Sequence, residues 1–421
     1  MKTIIYKYKF YYLSAFLLVL GLGSCTDEEP GSAAFPIIER VRYTDPTTAD
    51  SAFVSASLGS TLAIMGENLS TTTEVYLNDY PLGINPAYVT NTSVVVQIND
   101  SVPTVATNPD VANVLRLVTR LGEAVIDFQT LPPAPQILQV KNQYVKPGDE
   151  LTLYGRYFYF VDTVHFPGEN VFVTSGIQTD ASGSVLKVTV PENLNFTEGS
   201  DVTVVSRSGG SAVNRYTQIF SGSGMVADFD TEGVLGWPWN WGWGISGDMI
   251  RDSQPGINGL DGNFGGINQA IAGSYGWSND KLINLAAWSG DQMFPTAPEG
   301  LYNPDAPAGN FDVRWELAIN TPEAIEGLEV QVWYPDRNGN ELTFSIPINS
   351  VVTSQDGAWH TFSVNLTQLT NGNTRLNTYA DFLAGGADGI RQLRILIQNT
   401  TPNDINAVIG VDNIRVVRAV Q

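Results

Sequence analysis

Beyond its apolar N-terminal stretch the chain never sustains a 3.6-residue apolar period long enough for an amphipathic helix. Apolar residues alternate instead in short runs, closed by Gly, Pro, Asn and Asp and recurring roughly every 8–12 residues, the pattern of β-sandwiches. A chain of 421 residues organised in this way is expected to hold about two to four domains. Charged residues make up only 15% of it, below the usual ~25%. Small polar and aromatic residues fill the difference, as in turn-rich extracellular β-proteins.

Two segments repeat one unit. The first runs Pro36-Ile37-Ile38-Glu39-Arg40-Val41, then Gly59 to Leu69, then Val75-Tyr76-Leu77-Asn78. The second runs Pro135-Gln136-Ile137-Leu138-Gln139-Val140, then Gly148 to Phe158, then Val164-His165-Phe166. Each gives a Pro-led strand, a Gly-led turn, an alternating strand and a further glycine, which suits a bulge or a turn with positive φ. Pro132, Pro133 and Pro135 predict a stiff joint between the copies. Tyr154, Tyr157, Phe158, Tyr159 and Phe160 supply more aromatic surface than one small core needs. The excess is expected against a neighbouring domain.

All nine tryptophans lie between Trp237 and Trp359. An indole offers a flat, stiff apolar face and one N–H donor, which suits the faces of sugar rings. Strand parity separates core from platform. In Leu328 to Tyr334, Leu328, Val330 and Val332 point one way and Trp333 shares the other face with Glu329 and Gln331. In Leu282 to Trp288, Trp288 falls with Asn284 and Ala286, opposite Ile283, Leu285 and Ala287. Trp315 falls with Phe311, Val313 and Leu317 and reads as core. Asp312, Arg314 and Glu316 take the polar face, to bond sugar hydroxyls or to be solvated. Trp277 sits in a turn-rich loop, at a site rim. The run Trp237-Pro238-Trp239-Asn240-Trp241-Gly242-Trp243 reads as part core, part aromatic shelf, and Trp359 as core. The candidate glycan-binding set is Trp288, Trp333, Trp277, Tyr334, Trp241, Trp243 and Arg314.

The repeated segments resemble immunoglobulin-like IPT/TIG domains. The C-terminal segment resembles jelly-roll carbohydrate-binding modules, on its closing Val411-Asp412-Asn413-Ile414-Arg415-Val416 and on Trp359-His360-Thr361-Phe362. The N-terminus has Lys2, Lys7 and Lys9, then an apolar run from Leu13 to Leu22 that is short for a membrane span. It closes on Leu22-Gly23-Ser24-Cys25, which resembles a bacterial lipobox. Cys25, the only cysteine in the chain, would be the lipidated residue. Thr26-Asp27-Glu28-Glu29 looks like the acidic tag of surface-exported lipoproteins. Together these features are similar to the surface glycan-binding lipoproteins of polysaccharide-utilisation loci. The resemblance implies an all-β protein: signal peptide 1–24, acidic tether 25–35, IPT/TIG sandwiches 36–131 and 133–220 as a rigid stalk, and a jelly-roll glycan-binding domain 225–421. It implies a protein tethered to the outer membrane, at the cell surface, that captures a soluble β-glucan such as xyloglucan or mixed-linkage glucan for an outer-membrane importer complex.

A net charge of −21 argues against nucleic acid as a partner. With only His165 and His360 present, a Ser-His-Asp triad or a His-rich metal site is not expected. A polysaccharide-degrading hydrolase or lyase is the alternative, and a surface adhesin the other. A hydrolase needs two carboxylates about 5–5.5 or 6.5–9.5 Å apart, one with a raised pKa. No cofactor is expected apart from a structural calcium at Asp228, Asp230 and Asp412, near the first and last strands of the C-terminal domain.

Overall fold

The computed structural model describes residues 34–45, 47, 52–230, 249–274, 282–288, 293–298, 300–386 and 390–419. Strand is their dominant regular structure, and among the described residues the only α-helix is Tyr379–Leu383. The chain forms two units, Met1–Pro133 and Ala134–Gln421.

In the first unit, strands Ile37–Tyr43, Thr61–Glu67, Ser93–Gln97 and Ile84–Val89 lie side by side in that order. They face a second sheet ordered Tyr80–Leu82, Thr72–Leu77, Val114–Thr119, Gly122–Asp127. Alternation delivers Leu62, Ile64, Val94 and Val96 from one sheet, and Val75, Leu77, Leu115 and Leu117 from the other, to a shared core.

The second unit opens with the same topology. Gln136–Val140, Glu150–Arg156, Val185–Thr189 and Gln178–Thr179 form one sheet. Phe172–Val173, Val161–His165, Thr203–Ser206 and Gly209–Gly210 form the other. The likeness extends to irregularities. The first strand of each copy is bulged, between Ile38 and Arg40 and between Ile137 and Gln139. The repeated glycines sit opposite these bulges for a steric reason. A Cβ on Gly66 would stand 1.9 Å from the carbonyl oxygen of Ile37, and one on Gly155 would stand 2.1 Å from that of Gln136. Asn68 and Tyr157, equivalent in the repeat, both take φ of 63°. Of the aromatic cluster, Phe158 fills this core, while the Tyr154 hydroxyl reaches Thr353 of the C-terminal domain.

The C-terminal domain is a jelly-roll sandwich, and its main strands are numbered here within that domain. They are β1 Met225–Ala227, β2 Phe264–Ile271, β3 Leu282–Trp288, β4 Phe311–Ile319, β5 Leu328–Pro335, β6 Glu341–Pro347, β7 Trp359–Asn365, β8 Ile390–Asn399 and β9 Ile405–Arg418. The back sheet runs β2-β9-β4-β7, with β1 also on β9, and the front sheet runs β3-β8-β5-β6. Val313, Trp315 and Leu317 from the back meet Val330, Val332, Leu393 and Ile395 from the front in one large core. Trp315 is fully buried there against Phe362, as its parity required. Trp359 is also buried, in a small cluster with Phe264, Ile257 and Ala318 on the other side of the back sheet.

That outer side of the back sheet docks onto the second immunoglobulin-like domain. Asp312, Arg314, Glu316 and Arg415 project from β4 and β9 and are 0–2% exposed. Glu316 accepts from both terminal guanidinium nitrogens of Arg415 and from the hydroxyl of Thr361. Arg314 donates to Asp312, to the Gln143 side chain and to the carbonyl of Arg215. Arg215 donates to Asp312 from the other side. Two more bonds close the seam, one from Thr361 N–H to the backbone carbonyl of Lys141 and one from Gln143 N–H to the Thr361 hydroxyl, at 2.8 and 2.7 Å. Phe220 lies under Arg415, 5.1 Å from ring centre to guanidinium. The polar face of β4 is thus neither solvated nor free for sugar. It is the floor of an interdomain joint.

Candidate functional site

The outer face of the front sheet is built by the same alternation. Leu328, Val330, Val332 and Tyr334 of β5 point into the core, which turns Glu329, Gln331 and Trp333 outward. On β8, Leu393, Ile395 and Ile397 point in and Gln392, Arg394 and Leu396 point out. On β3, Ile283 and Leu285 point in and Asn284 and Ala286 point out. Register then fixes one row across the sheet: Asn284 opposite Arg394, Arg394 opposite Trp333, Trp333 opposite Thr343.

Trp333 is partly exposed in the middle of this row. The Arg394 guanidinium lies over its ring at 3.9 Å from the centroid, a cation–π stack. Arg394 also donates to the Gln392 side chain at 2.8 Å, and its burial pushes its pKa down to about 10. Gln331 donates to Ser345 of β6. The face therefore combines an indole held by a stacked cation with several amides. Such a surface can carry a sugar ring on the indole and meet its hydroxyls with the amides. Arg394 and Gln392 were not singled out from the sequence. The signal was there in Leu393-Arg394-Ile395-Leu396-Ile397, a charge set among four apolar residues within the strand.

The other candidates divide. Trp288 occupies β3 opposite Ile390, two and four positions from Ala286 and Asn284. Trp277, Trp241 and Trp243 lie outside the described residues, as does Cys25. Tyr334 requires a correction. It is fully buried in the core, stacked on Phe382, with its hydroxyl donating to the Phe382 carbonyl. Neighbours on a strand face opposite ways, so it cannot share the Trp333 platform. Arg314 requires another. It belongs to the back sheet and is spent on Asp312, Gln143 and Arg215, where a glycan cannot reach it.

Asp228, Asp230 and Asp412 are not gathered into one ligand group among the described residues. Asp412 is fully buried, and only one of its carboxylate oxygens is bonded, to the Asn413 N–H. Asp228 accepts from the Asp230 N–H, and Asp230 accepts from the backbone and side chain of Asn263. Among the described residues no group of three or more His, Cys, Asp or Glu side chains is placed to hold a metal. Burial, with Asp261, Glu316 and Asp230 nearby, raises the Asp412 pKa to about 9. Burial also raises the Asp201 carboxyl, and neither Asp201 nor Asp412 lies on the tryptophan face. His360 is buried with a pKa pushed down to about 4, so it stays neutral.

Residues 220–418 match the family model described as the surface glycan-binding protein B xyloglucan binding domain. An IPT/TIG domain-containing protein of Bacteroides ovatus is 31% identical over 186 residues, covering 42% of this chain and 38% of that protein. The match thus spans well under two thirds of the relative's length. Among solved structures, a surface glycan-binding protein of Prevotella bryantii aligns with a TM-score of 0.60 at 20% identity, over 91% of this chain and 99% of that one. A second, from a xyloglucan utilization locus of Bacteroides uniformis, aligns with a TM-score of 0.49 at 18% identity, over 91% and 100%. The first of these establishes the shared fold.

Proposed function

We infer that this chain, whose residues 220–418 carry the sequence pattern of the xyloglucan-binding domain of surface glycan-binding proteins, holds a soluble β-glucan at the cell surface without cutting it. Xyloglucan or mixed-linkage glucan is the expected ligand. The observation that carries this reading is Trp333, partly exposed on the amide-rich face and backed by Arg394. Each aromatic–sugar contact contributes on the order of 1–3 kcal/mol, by analogy with base stacking. A few such contacts, less the cost of ordering the ligand, give affinity on the order of micromolar. Calorimetry against xyloglucan, mixed-linkage glucan, mannan and xylan, with an assay for new reducing ends, tests it. Heat with the first two and no new ends is expected; no heat with any of the four removes the reading. Trp333→Ala should abolish most of the heat and leave the melting temperature nearly unchanged.

The cell-surface address extends to an anchor. Cys25 carries the lipid in the outer membrane, Asp27, Glu28 and Glu29 direct export, and the two tryptophan-free domains space the glycan site from the membrane beside an importer. Three chains on one cysteine would hold where a single acyl chain is marginal. Cys25→Ala should release a protein that still binds glycan in vitro. Replacing Asp27, Glu28 and Glu29 by Ala should keep lipidation and reduce antibody labelling of intact cells. Labelling that survives both changes places the address elsewhere.

A further inference from the structure

Asn284 is 1% exposed, yet neither its amide oxygen nor its amide nitrogen has a hydrogen-bond partner. Its strand neighbours Ile283 and Leu285 belong to the core, so Asn284 faces the Trp333 side of the front sheet. Register sets it directly beside Arg394. Arg394 does not answer it. Its guanidinium lies over Trp333, on the strand beyond, and so leans away from β3. A buried amide with no partner lowers stability, and native interiors rarely keep one without a reason. An apolar residue of similar size would serve this position better if packing alone decided it.

We propose that Asn284 is a specificity-determining residue of the glycan site, its amide nitrogen donating to one sugar hydroxyl and its amide oxygen accepting from another. This rests on the β-glucan reading above. Asn284 and Trp333 are two strand spacings apart, roughly 9–10 Å. One ring cannot meet both. Trp333 carries one ring of the bound oligosaccharide and Asn284 reads a different ring of the same chain. The amide has no competing partner inside the protein to give up, but at 1% exposure it must be uncovered as the ligand binds before a hydroxyl can reach it. The lack of a partner distinguishes Asn284 from Gln331 and Gln392, which already bond Ser345 and Arg394.

The test uses the full chain with Asn284→Leu and Asn284→Ala, titrated with xyloglucan and mixed-linkage glucan oligosaccharides. Affinity should fall roughly tenfold, as the loss of one or two hydrogen bonds gives. The melting temperature of Asn284→Leu should stay level or rise, because an unpaired polar group has gone. In the wild-type protein, the Asn284 side-chain amide resonances should shift when oligosaccharide is added, a measurement that needs no variant to fold. Variants that bind within twofold of wild type, or amide resonances that do not move, overturn the assignment and leave Asn284 as a packing residue or a water site. If Trp333→Ala abolishes binding while both Asn284 variants bind normally, the Asn284 assignment alone fails. If folded wild-type protein takes up neither oligosaccharide, the β-glucan reading fails and Asn284 falls with it.

Discussion

Glu316→Ala is expected to destabilise the C-terminal half of the protein by about 3–5 kcal/mol, the usual cost of removing one partner of a buried ion pair. The substitution leaves Arg415 with its charge intact, 0% exposed, and without the carboxylate that accepts from two of its nitrogens. It also strips the Thr361 hydroxyl of its acceptor, and Thr361 is the residue that takes Gln143 N–H across the joint. The damage should therefore reach the second immunoglobulin-like domain. Calorimetry of the wild-type protein should show that domain and the jelly roll melting in one transition, and Glu316→Ala should separate them into two. Replacing both partners, as Glu316→Leu with Arg415→Met, should restore much of the lost stability, since a well-packed apolar pair often matches a buried ion pair. Urea denaturation of the three proteins checks the ordering. A Glu316→Ala protein that loses less than about 1 kcal/mol would show that water enters the joint and screens Arg415.

The joint also explains what could be read from the sequence and what could not. The duplicated sandwiches were legible because alternation, the bulge glycines and the turn residues are local. Gly66 and Gly155 occupy matching places since each faces a carbonyl that leaves no room for a Cβ. Parity also placed Trp333 and Trp315 on opposite sides of their sheets, and the described structure keeps them there. Parity further put Arg314 on the polar side of its strand, and that side is where it lies. What alternation cannot tell is whether a polar side faces water, ligand or another domain. That depends on Gln143 and Arg215, 171 and 99 residues away in the chain. Tyr334 is a different case. The parity that turned Trp333 outward turned its neighbour inward, so nearness in sequence was a poor reason to include it. Arg394 shows the converse. An arginine flanked by apolar residues and nearly buried needs partners, and the Trp333 ring on the adjacent strand is one of them.

Asp412→Asn should stabilise the protein by about 2–4 kcal/mol near pH 8 and have little effect near pH 4. Asp412 is held at about 9, far above its ordinary 3.8, chiefly by burial and then by the neighbouring charge of Asp261. Between those two values the folded protein keeps a proton that the unfolded chain has lost. Folding then takes up a proton, and stability falls as pH rises through that window. Asparagine has the shape of the protonated acid and nothing to titrate, so the variant should lack this slope. Paired urea titrations at pH 4 and pH 8 isolate it, because the other acidic groups are common to both proteins and cancel in the difference. A divalent cation at Asp412, Asp228 and Asp230 would reverse the sign. Asp412→Asn would then remove a ligand and lower the melting temperature, and EDTA would lower that of the wild-type protein. Stabilisation at pH 8 together with melts that coincide in calcium and in EDTA assigns the buried carboxyl a proton. A loss in both experiments assigns it a metal.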